Sequence, residues 1–120
     1  MSMMASATPL NTTDPASCPH LANECTEAGP HDMHWGHENA IPAIRSEDDG
    51  YAIASAQLFS CEDGGPETQP TLAVSFGPFD EGLTLHELDQ LIAGTRDFLA
   101  GLERQAEQLA AAQRQWEAQQ

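Results

Sequence analysis

The sequence predicts an α+β fold: an antiparallel β-hairpin or small sheet packed on one long C-terminal helix, preceded by an irregular Cys/His-rich segment. Three observations carry this. The run TLAVSF (71–76) alternates, with Leu72, Val74 and Phe76 on one face, and YAIASAQLFS (51–60) alternates in part, so both read as strands. Between them CEDGGPETQP holds Gly64, Gly65, Pro66 and Pro70, which suits a hairpin loop of more than the minimal two residues. Beyond Thr84 no proline interrupts the chain, and Thr84 with Glu87 forms a capping box, with Leu83 and Leu88 placed as a hydrophobic staple.

Taken in order, residues 1–17 are rich in Ser, Thr, Pro and Ala, and their few Met and Leu side chains cannot offset the entropy of ordering them. They read as a disordered leader. Residues 18–50 form a Cys/His-rich loop segment without helical or strand periodicity; its one short apolar patch, Ile41 to Ile44, is interrupted by Pro42 and makes at most an edge strand. Residues 51–102 form the ββα core, in which Leu72, Val74 and Phe76 are expected to bury against Leu88, Ile92 and Leu99.

The helix is expected from about Leu85 to Trp116. Its seam (Leu85, Leu88, Ile92, Thr95, Leu99, Leu102, Ala106, Leu109, Gln113, Trp116) steps by 3 and 4 as a heptad does. Gly94 and Gly101 favour close approach to the sheet, since each costs about 1 kcal/mol of helix propensity. A hairpin of two short strands spans less than the helix, so residues 103–120 are expected to protrude as a tail, or to fray. A protruding tail would offer Leu102, Ala106, Leu109 and Trp116 to a protein partner or a second copy.

Composition bounds the function. The chain has 120 residues, and of its apolar ones 18 are Ala, leaving 27 side chains that fill a core, too few for a wide substrate-enclosing interior. Against 19 acids stand 4 Arg and no Lys, for a formal charge of −15. Such a chain repels phosphate backbones and anionic lipid heads, so direct nucleic-acid and membrane binding are not expected. The first thirty residues show neither a signal peptide nor a transmembrane run, and a cytoplasmic location is the expectation.

The three cysteines are an odd number, and in that compartment a cysteine pair near several histidines points to metal rather than disulfide. Cys18 and Cys25 are followed by His31, His34 and His37, each two residues from the next, with His20 as an extra donor. This inventory suffices for a structural Cys2His2 zinc site. The six-residue gap between the cysteines is wider than in fingers and ribbons, and a polar loop with coincidental histidines and unpaired thiols is the alternative. Cys61 lies among acids, which opposes a nucleophilic thiolate, and the chain has no Gly-rich phosphate loop and no Lys.

Cys18-Pro19, Cys25-Thr26, a histidine, His34-Trp35-Gly36-His37, two strands and the helix start Leu83-Thr84 with Glu87 together resemble a family of small uncharacterised actinobacterial and actinophage proteins. The similarity spans about residues 18–102. It implies the strand–helix architecture and a metal site and supplies no reaction. The function expected is therefore that of a small acidic, non-enzymatic interaction or accessory protein stabilised by zinc. The alternative is an acidic nucleic-acid mimic that occupies a basic protein site, although its acids are spread over loops rather than arrayed on one surface.

Overall fold

The computed structural model describes residues 18–45, 52–77 and 82–120, so the expected leader lies outside the described residues. Strands β1 (Met33–Trp35), β2 (Asn39–Ile41), β3 (Ala54–Cys61) and β4 (Thr71–Phe76) form one open antiparallel sheet, followed by helix α1 (Leu85–Ala118). β3 is its centre. β4 pairs with it from Ala54↔Phe76 to Phe59↔Thr71, which is the expected hairpin. Along the other edge β1 and β2 lie end to end, β1 opposite Phe59–Cys61 and β2 opposite Ala54–Ala56. Residues 36–38 thus face only Gln57 and Leu58, which makes a bulge, held by Gly36 N–H to Leu58 O at 2.9 Å and Gln57 Nε2 to Gly36 O at 3.1 Å.

The inward face of β3 carries Ala54, Ala56, Leu58 and Ser60, all buried. Small residues there let the helix come close. Phe98 packs over Ala54, Ala56 and Ile41, with Leu91, Leu102 and Leu72 around it, while Ala112 meets Leu21 and Leu58 beside Leu109. Gly101 sits so near β2 that a Cβ would fall 2.4 Å from the Asn39 amide nitrogen. Asn39 is fixed there, donating to Phe98 O at 3.0 Å and to Gln105 Oε1 at 3.1 Å. The helix starts as the sequence predicts: Glu87 N–H donates to Thr84 Oγ1 at 3.2 Å, and Thr84 N–H donates back to Glu87 Oε1 at 3.0 Å. Arg45 clamps the same Glu87 through Nε at 2.7 Å and an Nη at 2.9 Å, tying the end of the β2 segment to the helix start.

Two packing expectations are corrected. Leu72, Val74 and Phe76 do share the inward face, but the helix crosses β2 and β3 and turns Leu91, Phe98, Gln105 and Ala112 inward. Val74 stays 48% and Phe76 74% exposed, and Leu88, Ile92 and Leu99 are exposed too. Phe98 fills the room that Ala54 and Ala56 leave over β3, and Gly101 permits close approach to Asn39 of β2, which together set the rotation. The second correction concerns residues 103–118, which neither protrude nor fray. Gln105 Nε2 donates to Ala56 O at 2.8 Å, Gln113 Nε2 to Pro70 O at 3.2 Å and Trp116 Nε1 to Glu67 O at 2.8 Å. Leu102 and Leu109 pack inward, and of the four expected partner residues only Ala106 is exposed. The mate that the hairpin's length left unaccounted for is the Cys/His segment itself. No helix among the described residues is long and apolar enough to cross a membrane.

Candidate metal centre

Residues 19–24 make a tight turn in which Leu21, Ala22 and Asn23 all take left-handed backbone angles, with φ of 58°, 51° and 71°. Three successive non-glycine residues in this region cost free energy that something else must offset. Leu21 is fully buried against Leu58 and Ala112, and Gln115 brackets the turn, accepting from Ala22 N–H at 2.8 Å and donating to Pro19 O at 2.9 Å. By reversing the chain the turn brings Cys18 and Cys25 together across their six-residue gap. Thr26 N–H then donates to Trp35 O at 2.9 Å, which lays the segment along β1.

β1, which the aperiodic sequence around it did not announce, is what aims His34. Paired with Ser60, His34 faces inward and is 2% exposed. Its Nδ1 lies 3.3 Å from Cys18 Sγ and 3.6 Å from Cys25 Sγ, and His31 Nε2 lies 3.7 Å from Cys25 Sγ. One ligand atom from each of Cys18, Cys25, His31 and His34 falls within 4.8 Å of all the others. For bonds of roughly 2.3 Å to sulfur and 2.0–2.1 Å to nitrogen, a tetrahedral S–N edge is about 3.5 Å, and the three S–N separations here match such an edge. His37 does not join them. It is exposed in the bulge, next to Glu38 and Asn39, facing Arg104 and Gln108 across a shallow polar hollow.

The outer ring nitrogens are also engaged. His34 Nε2 lies 2.7 Å from Glu62 Oε1, and His31 Nδ1 lies 2.6 Å from Gly29 O. A carboxylate and a carbonyl only accept, so both nitrogens carry the proton, and the lone pairs of His34 Nδ1 and His31 Nε2 are left facing the sulfurs. His20 stacks on His34 with centroids 3.9 Å apart. Its Nδ1 donates to Glu67 Oε1 at 2.9 Å, and Glu67 Oε2 accepts from Ser60 Oγ at 2.6 Å.

His20, His34 and Glu62 also lie within 4.8 Å of one another. The 2.7 Å His34–Glu62 separation is nevertheless a hydrogen bond, shorter than the roughly 3.4 Å N–O edge of a tetrahedral site, and marks this trio as the outer shell of the cysteine site. The hydrogen bond from His34 holds the Glu62 carboxyl below its ordinary range, and burial pushes the Cys18 thiol up. The remaining cysteine, Cys61, lies on the outward face of β3 away from the cluster, with Asp63 N–H at 3.5 Å from its sulfur. His86 is exposed in the first turn of α1.

The fold and the cluster define a small α+β protein organised around a Cys2His2 constellation. Comparison with protein families identifies it further: the profile of a domain of unknown function, DUF6907, matches residues 5–111, and the chain belongs to that family. No curated protein and no solved structure matches the chain.

Proposed function

We propose that the chain is a small acidic, non-enzymatic interaction protein whose N-terminal segment is folded by one structural zinc ion held by Cys18, Cys25, His31 and His34. The observation that carries this reading is that both histidines have their outer nitrogen engaged by an oxygen acceptor, leaving their free lone pairs aimed at two cysteines at tetrahedral-edge distances. Zinc turns the two thiols into thiolates and offsets their charge, which suits a chain that already carries −15. Four protein ligands close the coordination sphere, so the ion is structural rather than a water activator. A reducing cytoplasm fits three free thiols, and the Lys-free, Ala-rich composition suits a GC-rich actinobacterial or phage genome.

Native mass spectrometry of the protein as purified, with and without chelator, tests the reading. One zinc per chain is expected, lost in Cys18→Ser and retained in His37→Ala. Metal-free protein that keeps the same hydrogen-exchange protection over residues 18–35 would overturn it.

A further inference from the structure

The helix carries a second apolar stripe that stands exposed among the described residues. Leu85 is 75%, Leu88 41%, Ile92 41% and Leu99 57% exposed, and with Thr95 they step by 3 and 4 as a heptad seam does. At 100° per residue this seam lies about a third of a turn round from the buried stripe of Phe98, Gln105 and Ala112. Gly101 faces β2, whereas Gln113 bonds Pro70 just before β4, so the seam lies on the β4 side. There Val74 and Phe76 stand exposed on the same sheet face. Taking roughly 150–200 Å² for each of these six side chains when fully exposed, their exposed fractions amount to about 500–670 Å². Twice that area is about what a specific two-sided interface requires.

The flanking charges indicate what covers it. Beside the seam lie Asp89 and Arg96, seven residues apart and both exposed. Two such helices packed antiparallel about a twofold axis set Leu88 against Leu99 of the second copy and Ile92 against its Thr95, and each Asp89 then meets the other copy's Arg96. Thr95 is ready for burial, because its hydroxyl is already satisfied by Leu91 O at 2.7 Å. A reversed copy matches Asp89 and Arg96 at both ends of the seam, a self-complementary pattern that a partner of a single charge sign would not meet.

We propose that this face joins two copies of the chain, through an antiparallel pairing of the Leu85–Leu99 seams flanked by two Asp89–Arg96 ion pairs. It gives the interaction protein proposed above a defined partner, and it does not depend on the metal reading. It also relocates the helical interface from the docked C-terminal third to the N-terminal half. Sedimentation velocity on the full-length, metal-loaded protein across the micromolar range tests it. A species of about 25.8 kDa, twice the 12.9 kDa chain, is expected.

Ile92→Asp, at an exposed position, should give a monomer of unchanged helical circular dichroism. Asp89→Arg and Arg96→Asp should each weaken association about tenfold, and the double exchange should restore it. A wild-type monomer throughout that range would assign the face to another polypeptide and overturn the proposal, as would a double exchange that fails to restore association. Zinc content, measured on the same samples, reports separately on the metal centre.

Discussion

If Cys18, Cys25, His31 and His34 hold zinc as proposed, removing it should open the left-handed turn and release the end of the helix while the sheet stays folded. Leu21 and Ala22 cost about 1–2 kcal/mol each in this region, or about 2–4 kcal/mol together, and Asn23, which tolerates it, adds little. Against this stand the burial of Leu21, worth about 2 kcal/mol, and the two Gln115 hydrogen bonds, worth about 1 kcal/mol each. These terms nearly cancel, so joining Cys18 to Cys25 through one ion decides whether the turn persists. Hydrogen exchange with and without chelator is the assay, read at the Ala22 amide, whose acceptor is on the helix. Its exchange should accelerate at least about tenfold, which is 1.4 kcal/mol, in the metal-free protein. Trp116 emission should shift to the red as its bond to Glu67 O is lost, and the amides of β3 and of residues 85–102 should stay protected. An Ala22 amide equally protected in both forms would refute the reasoning, because burial and Gln115 alone would then hold the turn.

Other consequences follow from single contacts. Glu62→Gln weakens the acceptor for His34 Nε2–H and should lower zinc affinity about 10- to 100-fold in a competition titration, with the fold unchanged. Gly101→Ala drives a methyl into an Asn39 side chain held by two hydrogen bonds and should lower stability by about 1–3 kcal/mol. Gly94→Ala meets only Ile41 Cγ2 at 3.4 Å and should raise it by up to about 1 kcal/mol, both read from denaturant midpoints. Arg45 holds the Glu87 carboxyl down at about 2 against an ordinary 4.5. A depressed carboxylate stabilises the fold above its unfolded value, so this contribution is intact above pH 4.5 and disappears as the pH falls from 4.5 towards 2. A carboxyl-carbon titration of Glu87 should show the low midpoint, and Arg45→Ala should return it towards 4.5.

The hairpin and the helix cap were legible because each rests on a local pattern: period-2 alternation in 71–76, and a Thr–Glu pair three residues apart. The rotation of the helix was not. Its heptad seam is the more conspicuous stripe, but Ala54 and Ala56 leave room over β3 that Phe98 fills, and Gly101 lets the helix lie close against Asn39 of β2. Four of the five proposed ligand residues converge in space. Choosing between His34 and His37 required β1, a three-residue strand too short to carry periodicity, whose pairing with Ser60 turns His34 inward while the bulge at 36–38 leaves His37 outside. The outer shell could not be read either, because Glu62 and Glu67 lie in the hairpin loop, and only folding brings them within reach of His34 and His20.

The docked helix end follows from the same economy of apolar material. Among the described residues the buried hydrophobic core is eight side chains, of which three are alanines and one is Cys18, a core too thin for a domain of this size to rely on. What joins the helix end to the rest is mostly polar: glutamine amides on Ala56, Pro70 and Pro19 carbonyls, and the indole of Trp116 on Glu67. Such bonds contribute only about 1 kcal/mol each and depend on the geometry of their acceptors. Two of those acceptors, Pro19 O and Glu67 O, belong to the segments that also supply Cys18, His20 and Glu62 around the ligand cluster. Ligand binding and helix docking therefore stabilise one another through shared backbone. Gln115→Ala should accordingly weaken metal binding although Gln115 touches no ligand, and zinc affinity equal to that of the wild type would show that the loop and the helix end fold independently.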